Sequence, residues 1–207
     1  KAGHEIDGDP VFINPDGTPA LPGTHQELAN QPRVPIPAID QAGIQQKAKD
    51  EGQYYKFIAG VLNVFNPATS SFIPSGPPPP AGSWEVAGTT LKVNDDEFNF
   101  SGNFYLEGGD IHINGKNTGG NGTIATDGQI HFNANGGAMD SSATLGFISF
   151  STSEKAININ GNGQTFFGSM VAPLGGINLS GNTNTINGGV IQLYTAGFSG
   201  CDNVINH

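Results

Sequence analysis

The 207-residue chain has little charge, few cations and almost no cysteine. Charged residues make up 13% of it, about half the share in an ordinary soluble domain. With only 8 Lys and Arg residues and a net charge of −10, it lacks the basic surface needed for nucleic acid or an anionic membrane. Its single cysteine, Cys201, excludes an intrachain disulfide.

Long apolar runs are also absent from the sequence. No stretch approaches the roughly 18 residues of a membrane-spanning helix, and the residues from Lys1 onward lack a signal-peptide pattern. Solubility must come from Asn, Ser, Thr, Gly and Gln, as is usual for secreted β-proteins. We therefore expect a mature chain or an excised ectodomain that works outside the cell and does not itself contact a membrane.

The first part of the chain predicts an arm followed by a cap. Residues 1–38 are rich in Pro and Gly, which predicts an extended arm because repeated prolines exclude long helices and central strands. Residues 39–52 predict a short helix that Asp40 caps and Gly52 ends. Aromatic and β-branched residues then predict strands, so residues 39–83 form a helix and strands that cap the rest.

The second half of the sequence repeats itself. Gly109–Asn114 aligns with Gly128–Asn133 at an offset of 19, and Ile157–Asn162 aligns with Ile177–Asn182 at an offset of 20. A last copy begins near Phe198. Fixed-period similarity of this length predicts an all-β fold, a parallel β-solenoid with coils of 19–20 residues over residues 84–207. Apolar residues would point inward, and Gly and Asn would form the corners.

Three segments of this repeat resemble a known family. Phe167–Pro173, Ile177–Asn182 and Ile186–Ile191 are similar to the solenoid domain of PilX-like, prepilin-associated bacterial surface proteins, and Val34–Asp40 resembles that family's lead-in. The resemblance covers residues 33–207. It implies an extracellular structural or adhesive domain whose partners are a surface anchor or pilus subunits. Similarity to bactofilins, which polymerise, and to ice-binding β-solenoids is weaker.

Two pairs of polar residues fall at equivalent positions of neighbouring coils. His112 and His131 should point outward about 5 Å apart, where they could share a transition metal, respond to pH, or form a simple polar ladder. Asn158 and Asn178 form a second outward pair. The candidate sugar- or ice-binding residues of this ladder, for which a structural role is the alternative, are His112, His131, Asn158, Asn178, Thr165 and Thr185.

The charged residues offer one candidate metal site and no catalytic set. Asp95, Asp96 and Glu97 could bind Ca²⁺ through carboxylate oxygens, or form a solvated turn; no other cofactor is predicted. Between Ala156 and Ala196 there is no charged residue, and no paired carboxylates, nucleophile elbow, P-loop or zinc motif is evident.

The sequence therefore predicts a non-enzymatic extracellular module with a structural or adhesive role on a pilus-like or surface anchor. One alternative is a self-assembling filament subunit that uses the N-terminal arm for contacts between subunits. Another is a carbohydrate- or ice-binding solenoid whose partner is a glycan or an ice surface.

Overall fold

A computed structural model describes residues 38–78, 83–133, 144–193, 197–198 and 201–206. The predicted arm, apart from Ala38, lies outside the described residues. Within the described residues the chain forms one helix and 17 strands.

The helix α1 spans Gln41–Asp50, within the predicted range. The Asp40 side chain accepts a hydrogen bond from the Gly43 amide at 2.9 Å, which satisfies one of the free N–H groups at the helix start. Gly52, at φ +70°, lies just past the helix end, where a residue without Cβ adopts the left-handed region at little cost.

The strands are short, and most of them lie in the region where the repeat was recognised. They are β1 (Tyr54–Ile58), β2 (Val61–Asn66), β3 (Ser71–Pro74), β4 (Trp84–Ala87), β5 (Thr90–Val93), β6 (Asn99–Glu107), β7 (Asp110–Ile113), β8 (Gly119–Thr126), β9 (Ile130–Phe132), β10 (Thr144–Ser149), β11 (Ile157–Ile159), β12 (Thr165–Ala172), β13 (Ile177–Leu179), β14 (Thr185–Asn187), β15 (Val190–Gln192), β16 (Gly197–Phe198) and β17 (Val204–Asn206).

The strands form two sheets whose order alternates along the chain. Sheet I contains β1, β6, β8, β10, β12, β14 and β17, with β15 beside β12 and the hairpin β2–β3 at one edge; sheet II runs β4-β5-β7-β9-β11-β13-β16. From β5 onward, successive strands of each sheet pair in parallel. Each strand of sheet II and the sheet I segment after it form one coil. The fold is a parallel β-solenoid of about five coils, which confirms the predicted class.

The strand register confirms most of the repeat and corrects one coil. The first two coils pair 20 residues apart, as Thr90 with Asp110. His112 pairs with His131 at 19, and Asn158 with Asn178 at 20. The third coil is longer: Ile130 pairs with Ile157, 27 residues later, so the predicted length of 19–20 is wrong there. The extra residues lie between β9 and β10, where the inserted chain leaves both strands in register.

Two antiparallel hairpins close the first end of the solenoid. In sheet I, β1 pairs antiparallel with β2, and β2 with β3, while β1 pairs in parallel with β6. In sheet II, β4 pairs antiparallel with β5. Residues 39–83 therefore do contribute a cap, as predicted. Parallel stacking begins at Thr90, so Trp84–Ala87, which was assigned to the solenoid, belongs to a closing hairpin.

The main core lies between the two sheets and is made of stacked rows. In sheet II the rows are Leu91–Ile111–Ile130–Ile157–Ile177 and Val93–Ile113–Phe132–Ile159–Leu179, and all ten side chains are buried. Each such side chain contributes about 1.5–3 kcal/mol relative to exposure. A second cluster joins Ala48 of α1 to Tyr54, Tyr105, Ala125 and Phe150, so the helix covers residues of the first coils that do not face the main core.

A column of glycines bends the strands of sheet I. Gly102, Gly122, Gly168 and Gly188 all have positive φ, between +94° and +150°. Gly102 pairs with Gly122, and in the third coil Leu145 stands between Gly122 and Gly168. A Cβ on Gly122 would lie 1.8 Å from the Gly102 carbonyl oxygen. The column therefore permits both the bend and the close approach of successive coils.

Candidate functional site

A single row of polar side chains crosses the face of sheet II opposite its core rows. The register places Lys92 beside His112, His112 beside His131, His131 beside Asn158, and Asn158 beside Asn178. We call these five residues the polar row. Strand alternation explains it, because the residues on either side of each member point into the core. The ring centres of His112 and His131 are 4.6 Å apart, which confirms the predicted stacking.

Hydrogen bonds run along the polar row in one direction. Asn178 Nδ2 donates to Asn158 Oδ1 at 2.7 Å. Asn158 Nδ2 lies 3.4 Å from His131 Nδ1, and His131 Nε2 lies 3.0 Å from Gln129 Oε1. Because the Gln129 oxygen can only accept, this chain fits a neutral His131 that carries its proton on Nε2.

The asparagines of the row are less accessible than the sequence predicted. Asn158 and Asn178 point away from the core but are only 7% and 8% exposed, whereas His112 and His131 are half-buried. Their amides are used to join coils. The open part of the polar row is therefore its histidine end.

Burial lowers the pKa of both histidines. For His112 the desolvation of the ring is the main cause; nearby Asp110 opposes it, and Lys92 adds to it. For His131 desolvation again comes first, and the neighbouring His112 lowers the pKa further against the effect of Asp110. Both imidazoles are therefore neutral at pH 7.

We expect the solenoid to lose stability as the solution is acidified through the range in which these histidines titrate. A histidine with a lowered pKa in the folded state contributes fully above its unfolded pKa of about 6.5 and loses that contribution as pH falls through the folded value. The measurement is the free energy of unfolding in urea at pH 7.5, 6.5 and 5.5.

The matched variant replaces both histidines with asparagine, the residue that occupies the row in the next two coils. The difference between wild type and the H112N/H131N double variant isolates the histidines from Asp127, whose pKa is raised by burial and which acts in the opposite sense. Equal pH profiles for the two proteins would show that the pair does not control acid stability.

The predicted threonine pair forms, but it extends no further. Thr165 and Thr185 are register partners in sheet I and both are half-buried. The next coil places Val204 beside Thr185. An ice-binding face would need a regular threonine array, and here the column changes to an apolar residue after two coils.

The predicted acidic cluster binds its own backbone and side-chain neighbours. Asp95 Oδ2 accepts from Ser83 Oγ at 2.9 Å, Asp96 Oδ1 accepts from the Lys116 amide at 3.0 Å, and Glu97 is exposed. Nowhere in the described parts of the chain do three His, Cys, Asp or Glu side chains converge on a possible metal position. Asp95, Asp96 and Glu97 therefore do not assemble the predicted Ca²⁺ site, because the turn points them at separate partners.

The most extended polar feature was not predicted. The residue after each sheet II strand is asparagine in four successive coils and serine in the fifth: Asn94, Asn114, Asn133, Asn160 and Ser180. Each donates through its side chain to the side-chain oxygen of the one before, at distances of 2.8, 3.0, 3.2 and 2.6 Å. We call this row the asparagine ladder. The signal was present in the sequence as an Asn that follows each apolar-x-apolar strand.

A second unpredicted cluster ties the cap to the first coils. The Glu107 carboxylate accepts hydrogen bonds from the Tyr54 hydroxyl and from Lys56 Nζ, the latter at 2.5 Å. Although its burial acts to raise its pKa, these bonds and the positive charge of Lys56 outweigh that effect and lower it. Tyr54 and Lys56 lie on β1, so the cluster joins the capping strand to β6. Its polar atoms are occupied by one another, which favours a structural role.

Comparison of the chain with protein-family models, with curated proteins and with solved structures produced no match. In the described part of the chain no helix has the length and apolarity needed to cross a membrane. What the fold and its rows define is a class: a parallel β-solenoid whose regular polar side chains largely hydrogen-bond from coil to coil.

Proposed function

We propose that this chain is a non-enzymatic structural and adhesive module, displayed outside the cell on a pilus-like or other surface anchor. The asparagine ladder is the observation that supports it most directly. Side chains that could serve a ligand or a reaction instead join five coils, in addition to the backbone pairing of both sheets. Such a module transmits force and keeps its shape, as a display element must.

Composition supports the same proposal. The surface relies on Asn, Ser, Thr and Gly with little charge, and the single cysteine, Cys201, is exposed and unpaired. Stability therefore comes from stacked core rows and polar ladders, which do not depend on the redox state of the surroundings. With about 4.8 Å per strand spacing, five coils make a short, stiff body suited to holding a partner-binding surface away from its anchor.

Display and adhesion can be tested on intact cells of the native organism. Antibodies against the solenoid should label cells that have not been permeabilised, and deletion of the chain should reduce adhesion to host or abiotic surfaces. Complementation with the G146A variant should restore adhesion, because a Cβ at Gly146 would have no atom closer than 3.8 Å. Labelling only after permeabilisation, or unchanged adhesion of the deletion strain, would contradict the proposal.

A second candidate, assembly into filaments, is favoured by the asymmetry of the two ends. The first end is closed by antiparallel hairpins. At the other end, β15, β16 and β17 each pair with only one strand among the described residues, and Val204 on β17 is 45% exposed. Open parallel edges of this kind pair readily with another chain.

Electron microscopy and light scattering over a range of protein concentrations test assembly. If the open end mediates it, Val204→Lys should suppress the assemblies while deletion of residues 1–37 leaves them intact. If the predicted arm mediates it, the deletion should suppress them and the lysine variant should not. Uniformly monomeric wild-type protein at high concentration would exclude the filament hypothesis.

A further inference from the structure

The histidine end of the polar row has the spacing of a metal chelate. A divalent first-row metal binds imidazole nitrogen at about 2.0–2.1 Å, and the ring centre lies about 1.1 Å behind that nitrogen. Two imidazoles that bind one metal at a right angle therefore have ring centres about 4.5 Å apart, and at the tetrahedral angle about 5.2 Å. The observed separation of 4.6 Å fits the right angle.

We propose that His112 and His131 form a two-histidine site for a transition-metal ion with tetragonal geometry, of which Cu²⁺ is the best match. Cu²⁺ and Ni²⁺ favour right-angled nitrogen ligands, and Cu²⁺ has the highest affinity in the divalent series. The remaining positions would be filled by water or by an external donor.

The surroundings of the pair support metal binding in two ways. Within the described chain the ring nitrogens of His112 make no hydrogen bond, and the contact of His131 Nδ1 with Asn158, at 3.4 Å, is long. One nitrogen on each ring can therefore be released at small cost. The rotation of the His131 ring that this requires is about a torsion with a broad, roughly two-fold preference.

Charges near the pair act in opposite directions on a bound cation. Asp110 is close enough to raise the pKa of both rings, and Lys92 is the register neighbour of His112. Because the rings are neutral at pH 7, they do not have to lose protons before they bind. Asp110 should strengthen Cu²⁺ binding and Lys92 should weaken it.

The test is a Cu²⁺ titration of the whole chain, followed by calorimetry and by electron paramagnetic resonance. We expect one bound ion whose spectrum shows coupling to two imidazole nitrogens. H112N and H131N should each lower the affinity at least tenfold, and the double variant should lose the two-nitrogen signal. His4, His25 and His207 remain in every variant, so binding there stays constant.

Two further variants keep the test informative if a histidine variant folds poorly. D110N should weaken binding severalfold and K92A should strengthen it, and both leave the chelating rings in place. Asparagine is already used in this row at positions 158 and 178, so H112N and H131N should keep their circular dichroism. An unchanged two-nitrogen signal in the folded double variant, or the absence of that signal in wild type, would overturn the proposal.

Discussion

The Gly122→Ala variant is expected to lose about 4 kcal/mol or more of its free energy of unfolding, or not to fold at all. Gly122 has φ +142°, a conformation that residues with a Cβ rarely adopt. The added carbon would also lie 1.8 Å from the Gly102 carbonyl oxygen and 2.9 Å from the Gly102 nitrogen. Since both obstacles are backbone atoms of the neighbouring coil, no side-chain rotation can relieve them.

The matched control is Gly146→Ala in the same sheet. Gly146 lies within β10, between Thr123 and Ser169, and the nearest atoms to a new Cβ are 3.8 Å away. We expect this change to alter stability by less than about 1 kcal/mol, with a small gain from the restricted unfolded chain. Chemical denaturation followed by circular dichroism measures both. Equal losses in the two variants would show that coil packing does not depend on the glycine column.

The Asn184→Ala variant is expected to lose about 3 kcal/mol. Asn184 is fully buried. Its Nδ2 donates to the Gly161 carbonyl at 2.9 Å and its Oδ1 accepts from the Gln164 amide at 3.0 Å. Alanine removes both bonds where water cannot enter, so buried backbone groups lose the partners they have in the wild type.

Asn203 provides the control because it makes the same two bonds one coil later. It donates to the Gly181 carbonyl at 2.8 Å and accepts from the Asn184 amide at 3.0 Å, but it is half-buried. Water can replace its bonds, so Asn203→Ala should cost only about 1 kcal/mol. Hydrogen exchange of the Gln164 amide should accelerate in the first variant and not in the second. A larger loss for Asn203→Ala would contradict the role assigned to burial.

The repeat shows how far local spacing predicts this fold. An apolar residue at every second position sets which side chains point inward, and the 19- and 20-residue offsets place Ile111 over Ile130 and Ile157 over Ile177. From these alone the class of fold, the inward rows and the His112–His131 pair could be predicted. The helix start was also predictable, because Asp40 caps a free amide only three residues away.

Other contacts depend on which coils meet, and spacing does not determine that. Tyr54 and Lys56 reach Glu107, which is 53 and 51 residues away in sequence, only because β1 adds in parallel to β6. The asparagine ladder crosses offsets of 20, 19 and 27 residues, and the inserted residues of the third coil hide its continuity from any fixed-period comparison.

The sequence by itself determined the solenoid, because side-chain direction in a strand follows from alternation and needs no distant partner. It also placed the two histidines side by side. Only the tertiary structure decided that Asn158 and Asn178 are buried, that Asp95, Asp96 and Glu97 point at separate partners, and that the polar rows bond from coil to coil. Burial and partner choice are set by the stacking of coils that lie far apart in the chain, and only the folded chain brings these together.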